Sequence, residues 1–234
     1  MIDVHTHILP AMDDGSRNVE MSLEMLRQEK QQGVDTVVLT PHFYRDKEDP
    51  EHYLVRRQKA FETLQEAIRQ QENEEYPRLL LGAEVAWVPN LAEWSGLSQL
   101  CIGGGQYMLL EMPFYHWSDQ TVYQIYDLME QGITPIFAHL ERYLKNQKPE
   151  YIQEIISMGS PIQVSCAPLQ RFFERKPIVQ LLKRRQAHLL GSDCHNLTVR
   201  PPNLAQGYAA VEKILGSQTA QMLDDNAHQL FGEL

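Results

Sequence analysis

Seven short apolar runs recur along this chain, and six of them close on a histidine or a carboxylate. The first leads from Ile2 and Val4 to His5 and His7. Val34 to Thr40 closes at His42, Leu79 to Ala83 at Glu84, Tyr107 to Leu110 at Glu111, Thr134 to Ala138 at His139, and Ala187 to Ser192 at Asp193 and His195. Pro161 to Ser165 alone lacks such an ending. Between the runs lie amphipathic or charged segments: Ser16, a candidate cap, to Gly33; about 50–75; Ser118 to Gly132; and 149–158, 177–186, 203–215 and 217–231. Such alternation implies an α/β fold with a parallel sheet covered by helices, and about seven strands is close to what a closed barrel needs. An open doubly wound sheet is the alternative.

The 234 residues suffice for one domain, expected to span 1–234, and neither a repeat nor a Gly/Ser-rich linker divides them. With 31 acidic against 21 basic residues the net charge is -10, which argues against nucleic acid and against an anionic membrane surface as partners. No run approaches a membrane span and no signal-peptide pattern opens the chain, so membrane insertion is not expected and the protein reads as cytoplasmic. Cys101, Cys166 and Cys194 lack zinc-ribbon spacing and predict no disulfide framework.

The alternation D-x-H-x-H at Asp3, His5 and His7 places these three side chains on one face of a strand, where two imidazoles can grip an ion. Asp193 and His195 repeat the spacing at the far end of the chain. In a barrel, strand ends meet at one rim, and the loop after the first strand brings Asp14 there as well. Imidazoles and carboxylates without thiolate suit manganese, iron or zinc, and so many acids side by side require more than one cation. His52, His116, His188 and His228 fall outside the pattern and are assigned structural or surface roles.

D-x-H-x-H at 3–7, D-D-G at 13–15, T-P-H at 40–42, G-A-E at 82–84, H-x-E-R at 139–142 and S-D-x-H at 192–195 together resemble the polymerase and histidinol phosphatase (PHP) superfamily over nearly the whole chain. Within it the sequence is most similar to the CpsB and YwqE type, metal-dependent bacterial protein-tyrosine phosphatases of capsule and exopolysaccharide loci. The resemblance implies a distorted (β/α)7 TIM-like barrel with three divalent ions, manganese first, iron or zinc as alternatives. It implies that His5, His7, Glu84 and Asp193 hold one ion, with Glu84 bridging to a second held by Glu111 and His139. Asp14, His42 and His195 would hold the third. Leu140 and Cys194 depart from the residues frequent in that branch, and neither removes a ligand. The implied partner is a phosphotyrosine protein, an autophosphorylating bacterial tyrosine kinase; the oligomeric state stays open.

Arg142 and Arg200 lie three and five residues past His139 and His195, within reach of a phosphate at the rim, and the resemblance favours that role over surface ion pairs. Cys194 and Arg200 also form the C-x5-R spacing of thiolate phosphatases, but the intervening residues include no glycine to ease an anion-cradling loop, so coincidence is preferred. Phe114, Tyr115, His116 and Trp117, with Trp87, are expected to wall the substrate's ring. The expected reaction is hydrolysis of a phosphate monoester by solvent that the ions activate, an aryl leaving group needing little protonation. The rival readings are a small-molecule phosphatase acting on a substrate like histidinol phosphate, a silent regulatory subunit and, more distantly, an amidohydrolase.

Overall fold

The computed structural model describes residues 1–234. Its strands are β1 (Ile2–Thr6), β2 (Thr36–Leu39), β3 (His42–Phe43), β4 (Arg78–Leu81), β5 (Glu84–Ala86), β6 (Tyr107–Glu111), β7 (Thr134–Phe137), β8 (Gln163–Ser165) and β9 (Leu189–Gly191). The helices are α1 (Val19–Gln31), α2 (Pro50–Arg69), α3 (Asp119–Glu130), α4 (Pro149–Ser157), α5 (Cys166–Leu169), α6 (Arg175–Lys183), α7 (Leu204–Leu215) and α8 (Ser217–Phe231). Every strand pairing is parallel. β1, β2, β8 and β9 are buried along their whole length, as the continuous apolar runs require of strands covered on both faces.

Nine strand segments trace seven lines. Pro41, which has no N–H to give a ladder, separates β2 from β3, and Gly82 with Ala83 separates β4 from β5. The broken lines stay in step because Gly82 N–H donates to Leu39 O (2.9 Å) and Glu84 N–H to Pro41 O (3.1 Å). The ladders form three pieces, β1-β2-β4, β3-β5-β6-β7 and β8-β9. Single parallel bridges, Phe137 to Ile162 and Thr6 to Cys194, connect the second piece to the third and the third back to the first. The ring is therefore a distorted barrel whose seams are bridges in place of ladders.

Inside it lies a cluster of 11 buried residues, among them Ile2, Val4, Val38, Leu80, Leu109, Ile136 and Leu189, joined by Ala227 and Phe231 of α8. Arg78 and Tyr107, the first residues of β4 and β6, both touch Phe231, through its carbonyl (3.0 Å) and its ring edge (5.9 Å between centroids). α8 thus plugs the end where the strands begin. A second cluster of 45 buried residues fills the layer between strands and helices.

Two local expectations need correction. Ser16 does not cap α1; the cap is Asn18, whose side chain accepts from Met21 N–H (2.9 Å), while Ser16 is buried with its hydroxyl donating to Asn18 O (3.0 Å). Asp3 does not share a face with His5 and His7. The pairing of β1 with β2 slips between Asp3 and Thr6, and this irregularity resets the alternation, so that Asp3 meets Glu29 of α1 while His5 turns toward Glu84. At the start of α3, Ser118 and Thr121 form a capping box.

Removing the plug's ring should be costly. Phe231→Ala is expected to lower unfolding free energy by about 3–5 kcal/mol, read from the midpoint of a denaturant titration.

Candidate metal centre

β1 and the residue that follows it deliver His5 and His7 to the interior, both fully buried. Their Nε2 atoms stand 3.2 Å apart, and both approach Glu84 Oε2, at 3.1 and 3.2 Å, and Asp193 Oδ1, each at 3.5 Å. His139 Nε2 lies 2.8 Å from Glu84 Oε1 and 3.6 Å from Glu111 Oε1. The exposed Asp14 places Oδ1 3.4 Å from His195 Nε2 and 3.7 Å from His42 Nε2. All nine residues singled out as ligands therefore converge, together with both arginines: Arg142 Nη2 and Arg200 Nη2 (2.5 Å) pair with the same Asp193 Oδ2.

The donor set fits divalent ions. Two ligands about 2.1 Å from one ion stand roughly 3.0–3.5 Å apart, which is the spacing found here. His42 Nδ1, His139 Nδ1 and His195 Nε2 are buried without a hydrogen-bond partner, and His42 Nδ1 nevertheless lies 3.1 Å from Glu84 Oε2. Three groups of donors lie close enough to share an ion: His5, His7 and Glu84; His42, Glu84 and Glu111; and His7, Asp14, His42 and His195. The grouping differs in detail from the one the resemblance implies, since His42 stands between Asp14 and Glu84 and His7 adjoins the outer group as well as the inner one.

A further layer aims these rings. Asp13 accepts from His7 Nδ1 (2.7 Å), from His42 N–H (2.8 Å) and from Gly15 N–H (2.9 Å), leaving His7 Nε2 directed at the cluster. Gln163, fully buried, accepts from His5 Nδ1 (3.2 Å) and from His139 N–H (2.8 Å). The sixth strand line thus contributes after all, by a residue whose only signal was one amide inside an apolar run. A Cβ at Gly15 would fall 2.2 Å from His7 O, so the third residue of D-D-G has to be glycine for the loop to close on the strand. His139 (φ 35°) and Asp193 (φ 54°) hold left-handed backbone at the ends of their strands, strain of about 1–3 kcal/mol each.

Electrostatics sorts the groups. Burial pushes the Asp193 carboxyl up, but His5, His7 and Arg142 outweigh it and hold it well below the usual carboxylate range. Glu84, also buried, is held down by His5, His139 and His7. Glu111 is pushed up to about 7 by burial and the adjoining Glu84 charge. Burial drives His139 and His195 down to about 4, so both are neutral and offer a lone pair at neutral pH.

The four remaining histidines lie elsewhere: His52 beside Glu48, His116 on Asn146 O, His188 on Ile162 N–H and His228 on Asp224 O. Cys194 is fully buried, its thiol 3.8 Å from Glu29 Oε1 and its pKa raised well above normal by burial, Glu29 and Asp3, so it cannot serve as a thiolate nucleophile with Arg200. All three cysteines are free and buried. Trp117 does not wall the site: it is buried on Tyr143, with Nε1–H donating to Pro113 O (2.8 Å).

A parallel β/α barrel with a histidine–carboxylate cluster at the C-terminal ends of its strands defines the class of metal-dependent barrel hydrolases. The family model for capsular polysaccharide synthesis proteins CpsB/CapC matches residues 1–232, and the chain belongs to that family. It is 31% identical over 252 residues to the tyrosine-protein phosphatase CpsB of Streptococcus agalactiae, covering 98% of each chain. It is 30% identical to the tyrosine-protein phosphatase YwqE of Bacillus subtilis, covering 98% of this chain and 91% of that one. It also superposes with a TM-score of 0.85, at 28% identity over 99% of this chain and 94% of the other, on a crystal structure from the pair YwqE of Bacillus subtilis and CpsB of Streptococcus pneumoniae, described as unique metal-dependent tyrosine phosphatases. The fold alone extends to the phosphotriesterase homology protein of Escherichia coli, at a TM-score of 0.55 and 13% identity over 98% and 97% of the two chains.

Because a carboxylate ligand must be ionised to bind, lowering pH through about 7 protonates Glu111 and sets protons against the ion. Metal affinity of the demetallated protein should therefore weaken by about tenfold per pH unit for each proton displaced, measured by competition with a chelating dye. Asp13→Asn, which disturbs the aim of His7, should weaken affinity about 10- to 100-fold in the same assay.

Proposed function

We propose that this chain is a metal-dependent protein-tyrosine phosphatase, removing phosphate from a bacterial tyrosine kinase that governs capsule or exopolysaccharide synthesis. The observation that carries the reading is the convergence of nine imidazoles and carboxylates with two arginines at one rim. The names of its full-length relatives supply the substrate class. In this reading His5, His7, Asp14, His42, Glu84, Glu111, His139, Asp193 and His195 hold three divalent ions, with manganese as the working metal. No helix is long and apolar enough to cross a membrane, and the reading places the protein in the cytoplasm.

Bound divalent ions supply Lewis-acid charge to the phosphate oxygens and lower the pKa of water toward neutrality. The protein's own groups do the rest. Arg142 and Arg200, both paired with Asp193, are positioned to exchange that carboxylate for a phosphate and fork onto its oxygens. Glu84 and Asp193 stay ionised despite burial, which keeps negative charge on the cluster and favours cations over protons. The departing phenolate, with a pKa of about 10, needs little protonation, so no strong acid is required beside it.

Activity toward a phosphotyrosine peptide should vanish on exhaustive chelation and return with manganese. His42→Ala and Asp193→Ala should each lose metal, counted by elemental analysis, and at least about 100-fold in kcat/KM. Cys194→Ser should keep most of the rate. Full activity without metal, or a rate that follows Cys194, would sink the proposal.

A further inference from the structure

We infer that the cleft beside the cluster receives the aryl leaving group, and that Tyr44 is the residue that makes the site prefer an aromatic to an alkyl phosphate. This rests on the phosphatase reading above. The cleft has a volume of about 670 Å³, and its lining includes Tyr44, Ala86, Trp87, Pro89 and Tyr115. The lining follows from the strands that carry the ligand candidates. Tyr44 comes two residues after His42, Ala86 two after Glu84, and Tyr115 four after Glu111. Glu84 and Ala86, two apart on β5, share a face, and the Tyr44 ring lies against His42, so the cleft borders the ligand layer. Trp87 N–H donates to Glu111 O (2.8 Å), tying the cleft's lining to the strand that ends in Glu111.

Two tyrosine rings touch the rings of ligand candidates. Tyr143 adjoins His139 (5.9 Å between centroids), but it is buried and its hydroxyl donates to Met112 O (2.7 Å), so it has no face to offer. Tyr44 adjoins His42 (5.1 Å, 30° between planes) and is only partly buried. It borders both the cleft and a recess of about 320 Å³ shared with Asp13, Asp14 and His42. It therefore stands where a phosphate over the cluster would hand its ester group to the cleft. The Lys47 ammonium lies 4.0 Å from the Tyr44 centroid, yet Lys47 is exposed and has no carboxylate partner, so an incoming ring displaces it at little cost. An aryl ester meets Tyr44, Trp87 and Tyr115, the aromatic part of a lining that also holds Arg45, Asp46 and Glu93, with offset or edge-to-face contacts that a methyl ester does not make.

The test reads binding, not turnover. On the manganese-loaded protein, dissociation constants for phenylphosphonate and methylphosphonate are measured by calorimetry, with metal content counted for each variant. Wild type should prefer the phenyl compound by about tenfold, Tyr44→Phe should keep that preference, and Tyr44→Ala should cut it below about twofold by weakening the phenyl compound. The exposed Tyr115→Ala should lower it about threefold and decides the matter if Tyr44→Ala fails to fold or to hold metal. No preference in wild type, a preference that survives Tyr44→Ala (or Tyr115→Ala, where Tyr44→Ala does not fold or hold metal), or a Tyr44→Phe loss equal to that of Tyr44→Ala overturns the inference. A wild type that prefers phenylphosphonate but does not hydrolyse p-nitrophenyl phosphate leaves the cleft assignment standing and removes the phosphatase reading.

Discussion

The crowding of Asp13, Asp14, Glu84, Glu111 and Asp193 against five imidazoles is the constraint to which the rest of this structure answers. Carboxylates this close repel, and burial adds a desolvation cost to each one that stays charged. The imidazoles and Arg142 and Arg200 offset part of that cost, enough to keep Glu84 and Asp193 ionised, whereas Glu111 is pushed up to about 7. Some of these donors are near but unpaired, as His42 Nδ1 and Glu84 Oε2 illustrate. Such a set is arranged for cations shared among lone pairs. The strained backbone at His139 and Asp193 is part of the same outlay, since it turns each side chain inward where a strand would otherwise run on.

Much of this was legible because apolar strands make any polar terminus conspicuous. Glu84 after Leu79 to Ala83, or His139 after Thr134 to Ala138, needs no structure to be noticed. What stayed hidden depends on local backbone or on tertiary neighbours. Asp3 has the right spacing for His5 and His7, but a slip in one strand pairing turns it away, and periodicity carries no trace of such a slip. Trp117 and Trp87 are equally aromatic in sequence and both are buried, yet one packs on Tyr143 away from the site and the other reaches the wall of the cleft. Gln163 and Asp13 support the rings through hydrogen bonds across 158 and 6 residues, and nothing local marks a glutamine as the partner of a distant histidine. The barrel itself was legible as alternation, whereas its division into three sheet pieces follows from Pro41, Gly82 and two single bridges.

Beneath the rings lies a second buried group that explains why Asp3 belongs to the opening motif without facing the cluster. Its Oδ1 accepts from His5 N–H (3.3 Å) and Ser192 N–H (3.0 Å), so one carboxyl ties the first strand to the last. Burial raises the pKa of Asp3, and that of Glu29 beside it still further, so this pair carries less than two full charges. Cys194 fits here as a small, weakly polar neighbour of Glu29. Its place in the fold is that of a packing residue between strand end and α1.

The seam between β9 and β1 brings these threads together. Like the seam between β7 and β8 it is a single bridge, with His7 N–H donating to Cys194 O (2.9 Å) and Asp193 N–H donating to His5 O (2.9 Å), where the remaining neighbours share ladders. The residues on its two sides, His5 and His7 against Asp193 and His195, are the ones that would grip common ions. A cation held across this line would fasten the barrel where its own backbone pairing is sparse. In such an arrangement loading and closure are one equilibrium, because an ion that binds only the assembled rim stabilises the ring by its binding free energy. The first and last strands, joined by residues 189 apart at Asp3 and Ser192, then meet for two reasons at once, to complete the sheet and to complete the site.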